Sequence, residues 1–193
     1  VLVKYALKKA DLITCDAQHL KDRMIELVTE CQNINIIYFG TDSTKFCPQK
    51  KNESLKKKLK LEESPVVIRL RTLKPIYNVE SFITAKPLVL QQIPQAKFII
   101  AGEGSEKKML KEMAFSLKVN DSIRFVGSIQ NDELPYYLTA SDVYVSTSLS
   151  DAGLAASTAE AMACELPVIS TDFGANAEWV KDGENGFLVP TKD

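Results

Sequence analysis

The sequence predicts an α/β protein with a Rossmann-like parallel sheet and helices on both faces. After residue 60, short β-branched apolar runs alternate with longer amphipathic stretches, which is the pattern of a parallel sheet flanked by helices. The runs are apolar at nearly every position, as expected for strands that are covered on both faces. The chain has 193 residues, 45% hydrophobic and 25% charged, and can therefore enclose a core of this kind.

Each predicted strand is an apolar run bounded by polar or turn-forming residues. In chain order these strands span residues 66–70, 97–101, 123–126, 142–146, 167–171 and 187–189. The predicted helices between them span residues 79–92, 105–117, 131–138, 153–164 and 176–181. We expect Pro87 to kink the first helix. Ser105 is expected to cap the second, whose apolar residues recur every three or four positions.

The first sixty residues have a different pattern. A helix over 1–10, a strand over 12–15 and a helix over 17–29 predict a βα unit with no sheet of its own. We therefore divide the chain into the end of a preceding domain at 1–33, a strand and interdomain linker at 34–48, and a second domain at 49–193. Because the chain opens on Val1 and stops just after a strand, we expect a fragment that lacks a terminal covering helix.

Composition excludes several classes of function. The 24 Lys and Arg against 25 Asp and Glu leave a net charge of −1, which gives no bulk attraction to nucleic acid or anionic membranes. Only one histidine, His19, is present, so most metal and Ser-His-Asp schemes are removed. The four cysteines fit neither a zinc pair nor a disulfide scaffold, which indicates a reduced, intracellular protein; they are Cys15, Cys31, Cys47 and Cys164. No apolar run approaches the roughly 20 residues of a membrane span.

A glycine turn follows the predicted strand at 97–101. Gly102 and Gly104 begin a dinucleotide-binding pattern, but Lys107 stands where the third glycine belongs, and the turn follows the second strand rather than the first. We therefore favour a tight strand-to-helix turn over an NAD site.

The segment 148–164 carries the strongest signal for a ligand site. Gly153 opens a predicted helix after a strand, and the amides of Leu154 and Ala155 are free to bind a phosphate at the positive end of the helix dipole. Glu160 lies roughly 10 Å further along the same helix, close to the separation of a diphosphate from its ribose diol. Its carboxylate is suited to accept hydrogen bonds from both ribose hydroxyls.

This segment resembles the donor-binding signature of the GT-B glycosyltransferases, in particular the large retaining family 4. Other stretches resemble the same family in order along nearly the whole chain, and those in the last third are highly specific. They are residues 38–48, 98–104, 125–127, 160–163, 166–178 and 185–189.

The resemblance implies a retaining, hexosyltransferase-type enzyme that takes a sugar from a nucleotide-diphosphate donor such as a UDP- or GDP-sugar, without an obligatory metal. The chain would be the C-terminal, donor-binding half of a GT-B fold. The acceptor, a carbohydrate or a lipid-linked molecule, would bind mostly to the missing N-terminal domain, so the fragment alone is expected to be inactive. The implied setting is polysaccharide biosynthesis in the cytoplasm, with association with the inner face of the membrane left open.

The resemblance also assigns roles to residues. Glu160 matches the glutamate that holds the donor ribose, and Gly153, Leu154 and Ala155 match the diphosphate cradle. Gly127 and Ile129, with Ser128 between them, lie where the family borders the base.

The sequence departs from the family at several positions. Asp151 would replace the acidic residue that contacts the sugar. It is one place out of register, however, because the family's spacing from Glu160 leads to Ala152. For the cations that neutralise the diphosphate, Arg71 fits one alignment and Arg69 with Lys74 another; we favour Arg71 because Arg69 lies inside a strand, and keep Lys74 as its partner. Glu165 replaces a glycine that commonly ends the helix.

Two other functions stay open at this stage. One is a non-catalytic nucleotide-binding or scaffold module that kept the fold, which the shift of Asp151 and the uncertain arginine allow. The other is a nucleotide-sugar epimerase of GT-B architecture, which would need a different acid-base set.

Overall fold

The computed structural model describes residues 2–28 and 33–191. Its helices are α1 (Leu2–Lys9), α2 (Gln18–Leu27), α3 (Glu53–Leu59), α4 (Val79–Thr84), α5 (Lys86–Gln92), α6 (Lys107–Ser116), α7 (Leu134–Thr139), α8 (Ala156–Ala163) and α9 (Asn176–Trp179). Its strands are β1 (Ile13–Cys15), β2 (Ile34–Ile36), β3 (Val66–Leu70), β4 (Lys97–Ala101), β5 (Ile123–Gly127), β6 (Val143–Ser146), β7 (Val168–Thr171) and β8 (Gly186–Val189).

Within the described residues, strands β3 to β8 form one six-stranded parallel sheet in the order β5-β4-β3-β6-β7-β8. The order of the strands reverses between β3 and β6. In sheets of this type, ligands bind outside the carboxyl ends of the strands at such a reversal. The predicted fold class is confirmed.

Helices cover the sheet on both faces, and each face has its own apolar core. Strand β3 shows the alternation, since Val66 and Ile68 pack into one core while Val67 packs against the other. The first core includes residues of α3, α7 and α8. The second includes residues of α4, α5 and α6. This double burial explains why the strands are apolar runs in the sequence.

The N-terminal unit does have a sheet, so the expectation that it has none is wrong. Strand β1 pairs in parallel with β2, with Ile13 opposite Ile34, and α2 connects the two strands. The sequence predicts a strand and linker at 34–48 but does not reveal that this strand pairs with the one at 12–15, because a three-residue strand gives little periodicity. The predicted helix over 17–29 ends at Leu27; Thr29 and Cys31 lie outside the described residues.

Several helix boundaries also differ from the prediction. The helix predicted over 79–92 is divided at Ala85 into α4 and α5, and Pro87 lies in the first turn of α5, where its missing N–H costs nothing. Ser105 does not cap α6, which begins at Lys107 without a side-chain cap. Helix α8 begins at Ala156, not at Gly153. No helix in the described ranges is both long and apolar enough to cross a membrane.

Candidate functional site

The candidate site lies at the carboxyl edge of the large sheet, at the reversal between β3 and β6. The loop after β3 carries Arg71, and the loop after β6 carries Asp151. Backbone contacts fasten the two loops together, because Leu149 donates its N–H to the carbonyl of Ile76 at 2.9 Å. The hydroxyl of Thr147 donates to the carbonyl of Asn78 at 2.7 Å. The two loops therefore form one wall of the site.

Arg71 and Asp151 form an ion pair across this wall. Nη2 of Arg71 donates to Oδ1 of Asp151, and the side chains are 19% and 5% exposed, respectively. The guanidinium also lies over the ring of Tyr77, 4.2 Å from its centroid, in cation–π contact. Arg71 is thus fixed in one orientation, with part of its side chain open to solvent.

The environment of Asp151 makes its carboxylate costly to ionise. Burial raises the pKa of Asp151 above its usual value, and the Arg71 guanidinium opposes the shift. Oδ2 of Asp151 is buried and has no hydrogen-bond partner within the described residues. The carbonyl of Asp151 packs against Gly174, where a Cβ would lie only 2.5 Å from that oxygen. The loop after β7, which carries Gly174, therefore packs against the backbone of Asp151.

Arg69 supports the same wall from inside the core. Its side chain is fully buried, and burial lowers its pKa to about 10. Nη2 of Arg69 donates to the carbonyl of Tyr77 at 2.7 Å, while Nε and Nη1 have no partner among the described residues. One alignment with the family pairs Arg69 with Lys74 as the cations of the site. In the structure, Arg69 lies in the core and contacts the carbonyl of Tyr77 from there, so it is not open to solvent.

The glycine loop before α8 presents unbonded amides. Ala155, the N-cap, has an extended conformation, and α8 begins at Ala156. Within the described residues, the N–H groups of Leu154, Ala155, Ala156 and Ser157 have no hydrogen-bond acceptor. These are the free donors at the positive end of a helix that favour an anion.

Gly153 contacts the N-terminal unit through Asp16, the residue that follows β1. A Cβ on Gly153 would lie 2.5 Å from Oδ2 of Asp16 and 2.7 Å from its Cγ. A side chain at position 153 would force this carboxylate to move, and its Cβ would lie 3.0 Å from the Asp16 carbonyl, so the glycine permits the close approach.

Glu160 lies about one turn into α8 and is half-buried. Burial raises the pKa of Glu160, and the ammonium of Lys45 in the linker opposes the shift. Lys45 also pairs with the exposed Asp132 at 2.6 Å. Lys45 and Asp132 are not among the site residues predicted from the sequence, although Lys45 lies within the predicted linker.

The loops after β4 and β5 form the other side of the site. Gly127 has φ of +74°, and Oε1 of Glu103 lies 3.0 Å from where its Cβ would be. Ile129 packs its side chain against the first core. Gly102, with φ of +125°, packs against the carbonyl of Arg71, where a Cβ would lie at 2.1 Å. The glycine turn thus serves close backbone contact inside the protein.

Of the residues predicted from the sequence, the structure brings together Arg71 and Asp151 as a pair. Lys74 is exposed, and its side chain makes no hydrogen bond or ion pair in the part of the chain that is described. Sequence reasoning missed Tyr77 and Asp16. Asp16 follows the carboxyl end of a parallel strand, which is the signal that could have identified it.

The fold and the loop cluster define a Rossmann-like domain with a candidate ligand site at the reversal of its sheet. The model of the glycosyl transferases group 1 family matches residues 50–193, and the chain belongs to this family. The resemblance to GT-B glycosyltransferases is therefore confirmed.

Named relatives are similar along most of the chain. A GDP-mannose-dependent alpha-(1-6)-phosphatidylinositol monomannoside mannosyltransferase of Mycobacterium tuberculosis is 26% identical over 186 residues, which cover 93% of this chain and 48% of that protein. The N-acetyl-alpha-D-glucosaminyl L-malate synthase of Bacillus anthracis is 25% identical over 194 residues, covering 100% of this chain and 49% of the relative. The chain thus spans about half the length of these curated relatives.

Solved structures show the same architecture. The crystal structure of Anabaena Alr3699/HepE in complex with UDP and glucose superposes with a TM-score of 0.87 at 25% identity, over 97% of this chain and 51% of that one. Sucrose-phosphate synthase from Thermosynechococcus elongatus superposes with a TM-score of 0.85 at 26% identity, over 98% and 48% of the two chains.

Proposed function

We propose that residues 49–193 are the donor-binding domain of a retaining glycosyltransferase, and that they bind a nucleotide-diphosphate hexose at the carboxyl edge of the sheet. In this proposal the free amides at the start of α8 hold the diphosphate and Glu160 holds the ribose. Gly127 and Ile129 border the base. The acceptor would be a carbohydrate or a lipid-linked molecule, bound mainly by residues of the whole enzyme that precede this domain.

The observation that carries the proposal is the group of unbonded amides from Leu154 to Ser157, followed on the same helix by Glu160. Because α8 begins at Ala156, the separation of roughly 10 Å expected from a helix starting at Gly153 does not hold. Glu160 lies four residues after Ala156, about 6 Å along the helix axis, so one ligand can contact both the free amides and this carboxylate. The crystal structures of HepE, described as complexes with UDP and glucose, support a ligand of this class.

The proposed catalytic roles rest on charge. As the bond between the sugar and the diphosphate breaks, negative charge grows on the phosphate, and a fixed cation lowers the energy of that state. Arg71 is held for this purpose by Asp151 and Tyr77. Lys74, exposed beside it, would add a second positive charge when it turns toward the diphosphate. Asp151 would hold Arg71 in place and, as the resemblance implies, would contact the sugar.

Calorimetric titration of the chain with UDP, GDP and ADP tests the proposal. We expect one nucleotide to bind best, and Glu160→Gln to weaken it by about 1.4 kcal/mol or more, a factor of ten, because a carboxylate that accepts two hydroxyl protons is lost. Glu112→Gln, the same change on the exposed face of α6, is the matched control and should bind as the parent does.

Absence of binding by a folded sample would contradict the proposal and favour the non-catalytic scaffold. Binding that is equal in the Glu160 and Glu112 variants would place the nucleotide elsewhere. Release of an epimerised sugar nucleotide by the full-length enzyme, without transfer, would instead favour the epimerase.

A further inference from the structure

Among the residues that the structure describes, the Asp16 carboxylate pairs with none of the other charged groups of the site. It comes from the N-terminal unit, at the end of β1, and lies against the Cα of Gly153. The carboxylate is half-buried, and within the described residues no hydrogen bond or ion pair satisfies its oxygens. Because the carboxylate is half-buried, its oxygens remain open to accept hydrogen bonds from a ligand.

The position of Asp16 limits what can bind to it. A phosphate is disfavoured there, because its charge has the same sign as the carboxylate. The adjacent amides of Leu154 and Ala155 are the ones proposed to hold the diphosphate, so the group next to Gly153 is the one attached to that diphosphate. A hexose presents several hydroxyl donors, and an ionised carboxylate accepts such donors in short, strong hydrogen bonds.

We propose that Asp16 is a sugar-binding residue, which accepts hydroxyl groups of the hexose carried by the donor and so distinguishes the nucleotide-sugar from the free nucleotide diphosphate. This inference rests on the proposed function. It gives the N-terminal unit a part in donor recognition. After transfer, the remaining nucleotide diphosphate has lost the hydroxyls and keeps the repulsion, so Asp16 also favours release of the product.

The test compares Asp16→Asn with the parent chain by calorimetry. The ligands are the best-binding nucleotide diphosphate and its hexose conjugates, namely UDP with UDP-glucose, UDP-galactose and UDP-N-acetylglucosamine, or GDP with GDP-mannose. We expect the substitution to weaken the tightest conjugate about tenfold, the loss of a charged hydrogen bond. The free diphosphate should bind equally well or more tightly, because a repelling charge is removed.

Two controls keep the result specific. Asp11→Asn makes the same charge change at an exposed position of the N-terminal unit and should leave the ratio of the two affinities unchanged. Asp16→Ala removes the carboxylate entirely and should show the same loss for the conjugate. Both variants are compared with the parent by thermal melting, and the ratio of affinities is taken on folded protein.

The outcomes separate the two proposals. If the free diphosphate binds and depends on Glu160, but Asp16→Asn weakens diphosphate and conjugate equally or neither of them, the sugar-binding role of Asp16 is overturned while the proposed function stands. If no nucleotide binds to the folded parent chain, the proposed function fails and this inference fails with it.

Discussion

Replacing Arg71 tests whether Asp151 is held ionised by its partner. Arg71→Met keeps most of the length of the side chain and its contact with Tyr77 but removes the charge. The carboxylate of Asp151, 5% exposed, then remains in the wall without a cation. Removing one partner of a fully buried pair costs about 3–5 kcal/mol. Because Arg71 is 19% exposed and solvent screens part of the interaction, we expect a loss of about 2–3 kcal/mol.

The reciprocal change should cost less. Asp151→Asn leaves the Arg71 guanidinium stacked on Tyr77 and partly in solvent, with an amide oxygen still able to accept one hydrogen bond. We expect a loss of about 1 kcal/mol for this variant. The double variant should be more stable than Arg71→Met alone, because no unpaired buried charge remains.

The assay is urea unfolding at 25 °C, followed by circular dichroism at pH 7 and at pH 5. The pKa of Asp151 is already raised in the folded protein, and removing Arg71 takes away the group that opposes the rise. A carboxyl whose folded pKa exceeds its unfolded pKa binds the proton more tightly when folded, so stability rises as the pH falls through the folded pKa. Arg71→Met should therefore recover part of its loss at pH 5. Equal losses in the two single variants, both independent of pH, would refute this account.

Four further substitutions test the effects of burial and backbone geometry. Glu165→Gly should stabilise the fold by about 1 kcal/mol, because Glu165 holds φ of +60°. Lys118→Gly, at φ of +56°, should gain less, since its charge suits a helix C-terminus; urea midpoints compare the two. Glu160→Gln should stabilise the protein near neutral pH while weakening nucleotide binding, because burial raises the pKa of Glu160 and makes its ionised form costly; melting curves and titrations on the same samples check both signs. Gly102→Ala should lower the yield of folded protein, since its Cβ would lie 2.1 Å from the Arg71 carbonyl; equal melting temperatures would contradict this.

The strands of the large sheet could be predicted from the sequence because a strand that is buried on both faces is apolar at nearly every position. The bounds of β3 and β4 match the prediction at both ends. The boundaries of the helices could be predicted less well. Helix α8 begins at Ala156 rather than at Gly153, and Gly153 packs against Asp16, which is far away in the chain; no pattern within segment 148–164 reports such a contact.

The residues of the candidate site also differ in how well the sequence predicts them. Residues that belong to a local pattern, such as Glu160 and Gly153, could be proposed from spacing alone. Tyr77 and Asp16 could not, because their importance lies in what they touch. Arg69 shows the limit most clearly, since a charged residue within an apolar strand does not reveal whether it reaches a ligand or, as here, the carbonyl of Tyr77 from inside the core.

The charges of the site are arranged so that Arg71 is positioned before any ligand arrives. A guanidinium has five donors, and the pair with Asp151 uses one side of it while Tyr77 covers a face. An arginine free in solvent would lose conformational entropy on binding a phosphate, whereas this one has already lost it in the folded state. The cost appears instead in Asp151, whose carboxylate is buried with one oxygen unpartnered. In the proposed function, the stability lost by burying the Asp151 carboxylate would serve to hold the Arg71 cation beside the diphosphate.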